Sequence, residues 1–200
     1  MYNYLALGDS YTIGEGVESA ANYPHQLQHI LNSKGMALSD PLIIATTGWT
    51  TDELQTAIRE HRLQESFSFV TLLIGVNNQY RGRSLENYKE EFSQLLNQAI
   101  IFANGHSRHV LVLSIPDWGV TPFAEGRDRQ EIHQQIDAYN HAAKELVLTH
   151  LCHWLDITES TRKNGKNPEF LVADGLHPSG KEYQIWAELM APIASHALRS

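Results

Sequence analysis

The chain has 200 residues, a formal net charge of −8 and a hydrophobic content of 42%. This composition excludes a disordered chain, and the length is that of one domain, spanning residues 1–200, with a core of its own. An acidic chain without a cluster of Lys and Arg does not favour nucleic acid as a partner. The single cysteine, Cys152, excludes a disulfide framework and a multi-cysteine zinc site.

The N-terminal segment lacks the features of a secretion signal. No basic region precedes its apolar run, residues 4–7, and this run is too short for a signal peptide. No apolar stretch elsewhere approaches the length of a membrane span. We therefore expect a cytoplasmic protein without membrane insertion.

Five short apolar runs, several of them ending at Gly or Pro, alternate with helical patterns. The runs cover residues 4–7, 42–45, 69–74, 110–115 and 154–157. Because several of them are continuously apolar, they predict strands that are buried on both faces.

Helical patterns occupy the intervening segments. The spacing of Thr50 and Glu53 is that of a capping box, which predicts the start of a helix. Apolar faces then repeat at helical spacing over residues 85–102 and 132–146. Pro178 is expected to open a last helix, and Pro192 to kink or restart it.

This alternation predicts an α/β fold, in which a parallel sheet is covered by helices on both faces and the crossovers are right-handed. In such folds, ligands bind beyond the carboxyl ends of the strands. The loops that follow the five predicted strands are therefore the places where a functional site is expected.

The loop after the first strand contains Gly8-Asp9-Ser10. A serine at this position lies at the ligand end of the sheet, and a helical turn from Tyr11 onward would surround it with backbone N–H groups. Such a serine can act as a nucleophile. The alternative interpretation is a plain polar turn.

The loops after the second and third strands supply further hydrogen-bond donors. Gly48 has no side chain, so its N–H can approach a substrate closely, and Asn77 could aim its side-chain amide at the same point. With the Ser10 N–H, three converging donors would form an oxyanion hole. The alternatives are a positive φ at Gly48 and a turn or helix cap at Asn77.

Near the C-terminus, Asp174 precedes His177 by three residues on one predicted loop. A carboxylate there can hold the imidazole in the useful tautomer. His177 can then take a proton from Ser10 and return it to the leaving group. The alternative is a capped loop with a surface histidine.

In this order, the four segments resemble those of the GDSL, or SGNH, hydrolase family, whose blocks carry Ser, Gly, Asn and His. The matching segments are Gly8-Asp9-Ser10, Thr47-Gly48-Trp49-Thr50-Thr51, Gly75-Val76-Asn77-Asn78 and Asp174-Gly175-Leu176-His177-Pro178. The resemblance thus extends from residue 8 to residue 178. One position departs from it, because the family usually has Asp where Asn78 stands. We expect this change to affect local hydrogen bonding more than catalysis.

The resemblance implies a flavodoxin-like three-layer α/β/α fold with a five-stranded parallel sheet. It also implies a triad of Ser10 as nucleophile, His177 as general base and acid, and Asp174 as its orienting carboxylate. The implied oxyanion hole consists of Ser10, Gly48 and Asn77, and neither a cofactor nor a metal is expected. The implied reaction is hydrolysis of a small-molecule carboxylic ester with a short acyl group. A carbohydrate O-deacetylase and a thioesterase are its variants.

Residues that contact the substrate are less clearly indicated. Aromatic and polar residues near the predicted site are candidate pocket walls: Trp49, Asn22, Tyr23, Trp118 and Phe123. The rings of Trp118 and Phe123, in the loop after the fourth predicted strand, could pack a short acyl chain or stack on a sugar. Alternatively, Trp118 and Phe123 pack their own loop against the domain.

Other interpretations have less support in the sequence. Gly14-Glu15-Gly16 lacks the third glycine of a dinucleotide-binding loop, and no Walker A motif is present. Histidine pairs such as His25 and His29 have no third ligand at metal-binding spacing. A non-catalytic small-ligand binding module on the same fold is a further alternative, but the joint presence of all four segments speaks against it.

Overall fold

Five parallel strands form the centre of the molecule. A computed structural model describes residues 1–64 and 66–199. The strands are β1 (Tyr4–Gly8), β2 (Leu42–Ala45), β3 (Phe69–Leu73), β4 (Val110–Leu113) and β5 (His153–Leu155). They lie in the order β2-β1-β3-β4-β5, and every neighbouring pair is parallel. The predicted five-stranded parallel sheet is therefore confirmed.

Eight α-helices in the described residues surround this sheet. They are α1 (Ser10–Ile13), α2 (Tyr23–Ser33), α3 (Thr51–His61), α4 (Val76–Tyr80), α5 (Leu85–Phe102), α6 (Arg129–Thr149), α7 (Thr158–Asn164) and α8 (Gly180–Ala197). α2 packs against α8, whereas α5 packs against both α3 and α6. With right-handed crossovers, these two groups cover opposite faces of the sheet, which confirms the three-layer α/β/α arrangement. None of the helices in residues 1–64 and 66–199 has the length and apolar character needed to cross a membrane.

The core is built on the central strands. Every residue of β1, β3 and β4 is buried, as expected for continuously apolar strands that are covered on both faces. Between α2 and α8, three aromatic rings fill the layer, with the Tyr183 ring 5.1 Å from that of Trp186 and the Tyr23 ring 6.2 Å from it. This packing fixes α8 against the N-terminal part of the chain.

The last helix begins later than predicted and does not restart at Pro192. α8 begins at Gly180, because Pro178 instead forms an isolated β-bridge with Leu171. The helix also continues through Pro192 without a restart. Pro192 lacks an N–H for the carbonyl of Glu188, but both residues are exposed, so water can satisfy that carbonyl.

The strand order brings three loops together at the carboxyl ends of the strands. β1 is flanked by β2 and β3, and the last residue of β1, Gly8, pairs with the last residues of both neighbours, Ala45 and Leu73. From β1, the chain first adds β2 on one side and then β3, β4 and β5 on the other. In flavodoxin-like sheets, such a reversal opens a crevice at the carboxyl ends of the two strands between which it occurs, here β1 and β3. The three loops that leave these strands therefore start side by side.

Candidate active site

Ser10 stands at the junction between β1 and α1. Asp9 caps α1, because its Oδ1 accepts the N–H of Tyr11 at 3.0 Å. The preceding residue must be small: a Cβ on Gly8 would lie 2.1 Å from Thr12 Oγ1 and 2.5 Å from the carbonyl oxygen of Leu73. The turn thus brings Ser10 directly to the sheet edge, where the residue is only 4% exposed.

Three side chains form one hydrogen-bonded chain at this edge. His177 Nε2 lies 2.9 Å from Ser10 Oγ, although 167 positions separate the two residues in the sequence. His177 Nδ1 lies 2.6 Å from Asp174 Oδ2. With Nδ1 donating to the carboxylate, Nε2 is the acceptor that faces the serine hydroxyl.

The loop before α8 fixes the orientation of Asp174 and His177. Asp174 Oδ1 accepts the backbone N–H groups of Leu176 at 2.8 Å and of His177 at 3.0 Å, so the carboxylate is held by both its oxygens. Partial burial raises the pKa of Asp174, but the hydrogen bonds from the His177 ring and from these two N–H groups outweigh it, so the net pKa lies below its ordinary value. The Tyr11 ring packs 5.4 Å from the imidazole.

Three hydrogen-bond donors border the same cavity as the serine. Gly48 adopts a φ of +86°, which favours glycine. Within residues 1–64 and 66–199, neither the N–H of Ser10 nor that of Gly48 has a hydrogen-bond acceptor. Asn77 Nδ2 donates to the Trp49 carbonyl at 3.0 Å, which leaves its second amide hydrogen available. Ser10, Gly48 and Asn77 thus all line one cavity and each has an N–H without an acceptor among the described residues.

The cavity has a volume of about 170 Å³ and a largely apolar wall. Its lining residues are Ser10, Tyr11, Thr47, Gly48, Val76, Asn77, Tyr80, Trp118, Phe123, Leu176 and His177. In this wall, the Trp118 ring contacts those of Tyr80 at 5.4 Å and Phe123 at 6.0 Å. Trp118 is buried and donates its indole N–H to Gln79 at 2.8 Å, so this wall is fixed.

Three of the residues predicted as pocket walls lie elsewhere. Asn22 caps α2 by accepting the His25 N–H, and its Nδ2 donates to the last residue of α1. Tyr23 is fully buried, with its hydroxyl 3.1 Å from Thr12 Oγ1. Trp49 packs against the core instead of lining the cavity. Closeness in sequence to Ser10 or Gly48 does not place these side chains beside the serine.

Five lining residues were not among the predicted site residues: Tyr11, Thr47, Val76, Tyr80 and Leu176. Two of these, Val76 and Tyr80, belong to α4. They are four positions apart on α4, so both side chains lie on the helix face turned toward the cavity. The segment was predicted as a loop, and recognising it as a helix from Gly75 onward would have pointed to Tyr80.

The loop that carries Gly48 is held by a side chain at each of five consecutive residues. Thr47 Oγ1 donates to Glu15, the Gly48 carbonyl accepts from Arg81, the Trp49 carbonyl accepts from Asn77, the Thr50 N–H donates to Glu53, and Thr51 bonds to Asn78. Three of these five partners, Asn77, Asn78 and Arg81, belong to α4 or its C-cap. The helix that follows β3 therefore positions the loop that follows β2.

The contacts of Asn78 explain the departure from the family pattern. Its Oδ1 accepts the Thr51 N–H at 3.1 Å, and its Nδ2 donates to Thr51 Oγ1 at 2.6 Å. The Thr51 hydroxyl uses its own hydrogen to bond to Glu91. Only an amide can both accept and donate here, because an aspartate would face a hydroxyl already committed to a second carboxylate.

Asp9 is the one buried carboxylate beside the serine with an oxygen that lacks a partner among the described residues, namely Oδ2. Burial raises the pKa of Asp9 to about 7, against the lowering effect of the Tyr11 N–H. Among residues 1–64 and 66–199, no group of three or more His, Cys, Asp or Glu side chains comes together in a way that could hold a metal ion.

A sequence model of the GDSL-like lipase/acylhydrolase family matches residues 6–185. Three solved structures resemble the chain at a TM-score of 0.75 each. The lipase/acylhydrolase from Enterococcus faecalis has 21% identity, covering 100% of this chain and 97% of that chain. The psychrotrophic esterase EstA from Pseudoalteromonas sp. has 13% identity, covering 100% of both. Axe2, an acetylxylan esterase from Geobacillus stearothermophilus, has 17% identity, covering 96% of this chain and 94% of that chain. Among curated proteins, no sequence relative is found.

Proposed function

This chain belongs to the GDSL-like lipase/acylhydrolase family, and we propose that it is a serine esterase that cleaves small carboxylic esters through an acyl-enzyme on Ser10. The hydrogen-bonded chain from Ser10 through His177 to Asp174, at the edge of a cavity, is the observation that carries this proposal. A non-catalytic binding module does not require this series of hydrogen bonds between a serine, a histidine and an aspartate.

The first half of the proposed reaction forms the acyl-enzyme. Ser10 Oγ attacks the ester carbonyl carbon while His177 Nε2 takes the hydroxyl proton, and Asp174 stabilises the resulting imidazolium. The carbonyl oxygen becomes an oxyanion that accepts from the Ser10 and Gly48 N–H groups and from Asn77. Each such donor stabilises the transition state by roughly 3 kcal/mol.

The second half releases the acid. The tetrahedral intermediate collapses, and the C–O bond to the alcohol breaks as His177 returns its proton to the departing oxygen. A water molecule then attacks the acyl carbon while His177 takes one of its protons. Collapse of the second intermediate breaks the bond to Ser10, which regains its proton, and the free acid leaves.

The dimensions of the cavity favour a short acyl group. Its volume of about 170 Å³ is below the range of roughly 300–1,000 Å³ that is typical for drug-sized ligands. Its wall includes the fixed ring of Trp118, so an acyl chain that extends toward this ring would have to displace packed aromatic residues. We therefore propose acetyl to butyryl esters as substrates.

A carbohydrate O-deacetylase is the second candidate. The Tyr80 and Phe123 rings at the cavity mouth are 46% and 43% exposed, which makes them available to stack on a sugar ring in the alcohol part of the substrate. In that case Tyr80→Ala and Phe123→Ala should lower kcat/KM for an acetylated xylo-oligosaccharide but not for p-nitrophenyl acetate. Equal losses on both substrates would favour the simple esterase.

The decisive experiment compares p-nitrophenyl acetate, butyrate and octanoate as substrates of the wild type and of Ser10→Ala. Ser33→Ala, an exposed serine on α2, is the matched control. We expect turnover that is lost in Ser10→Ala, retained in Ser33→Ala, and lowest for octanoate. Equal turnover by the wild type and Ser10→Ala would refute the proposal, and turnover only of a short-chain acyl thioester would favour a thioesterase.

A further inference from the structure

The N–H of Gly48 can act as an oxyanion donor only if its direction is fixed. Glycine has more backbone freedom than any other residue, and Gly48 occupies a φ of +86° on a loop that is partly exposed. A donor that must be aligned during the reaction contributes less than one aligned beforehand. Contacts from outside the glycine must therefore hold its two peptide planes.

Two contacts hold the peptide that follows Gly48: the Trp49 N–H donates to the Thr46 carbonyl at 3.2 Å, and Arg81 donates to the carbonyl oxygen of Gly48. Its guanidinium Nη2 donates to the Gly48 carbonyl at 2.6 Å, and its Nη1 donates to Glu53 Oε1 at 3.3 Å. The other carboxylate oxygen of Glu53 accepts the N–H of Thr50 at 2.9 Å. The guanidinium thus links the Gly48 carbonyl to the start of α3 through a charge-assisted hydrogen bond.

Arg81 and Asn77 act from one face of α4. They are four positions apart, so their side chains point in the same direction, and they bond to the carbonyls of consecutive residues, Gly48 and Trp49. Arg81 is absent from the lining of the cavity, whereas Asn77 lines it. Arg81 therefore acts on the substrate only through the loop.

We propose that Arg81 is a positioning residue, which holds the peptide plane that follows Gly48 and thereby restricts the backbone rotation of this glycine, so that its N–H, on the preceding peptide plane, points at the oxyanion. This inference rests on the proposed esterase function, and it adds a residue that the four family segments do not include. A structural role alone would have small effects, because the Arg81 and Glu53 side chains are 43% and 41% exposed, and exposed ion pairs contribute little to stability.

Kinetics of Arg81→Ala and Arg81→Lys separate the two roles. We expect Arg81→Ala to lower kcat on p-nitrophenyl acetate by about 10- to 100-fold with KM nearly unchanged, since the donor is misaligned rather than removed. Arg81→Lys should lose less, because it retains a charged donor. Arg59→Ala, which removes the same charge from an exposed position on α3, should leave kcat unchanged.

Rescue of kcat by free guanidinium distinguishes a positioning role of Arg81 from a loss of protein stability. At concentrations well below those that unfold the protein, guanidinium chloride should restore part of kcat in Arg81→Ala in a saturable manner. Sodium chloride at the same ionic strength should not. The rate at which a p-nitrophenyl alkylphosphonate modifies Ser10 should fall by the same factor as kcat, because the phosphoryl oxygen occupies the oxyanion position.

A measurement that does not depend on ester turnover completes the test. The ¹⁵N heteronuclear NOE of the Gly48 amide should drop in Arg81→Ala and remain unchanged in Arg59→Ala. Unchanged kcat together with an unchanged Gly48 NOE would overturn the inference, as would a loss of activity without guanidinium rescue. A wild type that neither turns over esters nor reacts with the phosphonate would refute the proposed function, while the NOE would still decide the role of Arg81.

Discussion

Replacing Asn78 by aspartate, the residue usual in the family, should destabilise this protein. The side chains have nearly the same shape, so the change removes one hydrogen-bond donor and adds one negative charge. At present Asn78 Nδ2 donates to Thr51 Oγ1 at 2.6 Å, and Thr51 donates its only hydroxyl hydrogen to Glu91. In Asn78→Asp two carboxylates compete for that one hydrogen.

The magnitude follows from these contacts. The two hydrogen bonds in series place the introduced carboxylate and that of Glu91 with their nearest oxygens at most about 5 Å apart, where like charges repel by roughly 3 kcal/mol at an effective dielectric constant of about 20. The lost hydrogen bond costs a further ~1–3 kcal/mol at a buried position. Arg83, whose Nη1 lies 3.6 Å from Glu91 Oε2, offsets part of the repulsion. We expect a net loss of about 2–4 kcal/mol.

Urea unfolding at pH 7.5 measures this loss, and a double-mutant cycle identifies its cause. Glu91→Gln removes the second charge, so the double variant should recover at least ~1.5 kcal/mol relative to the sum of the single changes. Asn97→Asp, which adds a charge at an exposed position on α5, is the control and should change stability by less than about 0.5 kcal/mol. If Asn78→Asp were as stable as the wild type, or if the cycle showed no coupling, the reasoning about Thr51 would be refuted.

Three further changes test the site. Asn77→Ala should lower kcat by about 10²–10³ with little change in KM, and an effect on KM alone would make Asn77 a ground-state contact. Asp174→Asn should lower kcat by about 10³–10⁴, because an amide that donates to His177 Nδ1 leaves Nε2 protonated and unable to act as a base; near-normal turnover would contradict the tautomer argument. Asp9 has a pKa of about 7 in the folded protein against an ordinary value of 3.8, so the folded state binds more protons between these values, and stability falls as pH rises through that window. Asp9→Asn cannot titrate, so the difference in free energy of unfolding between this variant and the wild type should shift in favour of the variant by up to roughly 4 kcal/mol between pH 4 and pH 8. A difference that does not change with pH would disprove the raised pKa of Asp9.

Much of the fold follows from local pattern in the sequence. Strands buried on both faces are largely apolar, and this condition located β1, β3 and β4, which are buried throughout, to within a few residues. β2 and β5, which are partly exposed, were located by their shorter apolar runs. The rule that ligands bind at the carboxyl ends of parallel strands also selected the loops that meet at the cavity, including those of Ser10, Gly48 and Asn77. Both arguments need only the sequence neighbours of each residue.

The remaining features depend on contacts between distant segments. Tyr23 follows Ser10 closely in sequence, but the turns after the four-residue helix α1 direct it under α8, where it is buried against Trp186. Arg81 reaches Gly48 across 33 positions, and no local signal distinguishes it from any other exposed arginine. A restart, one of the two outcomes expected at Pro192, is absent, and this residue lies on the exposed side of α8.

The separation of Ser10 and His177 along the chain has a consequence for synthesis. A ribosome delivers β1 and Ser10 well before His177 and α8, and α8 can pack on α2 only after it has emerged. Throughout translation the hydroxyl therefore lacks the group that would accept its proton. A nascent or prematurely terminated polypeptide that stops before His177 therefore lacks the group that makes Ser10 a nucleophile in the proposed mechanism.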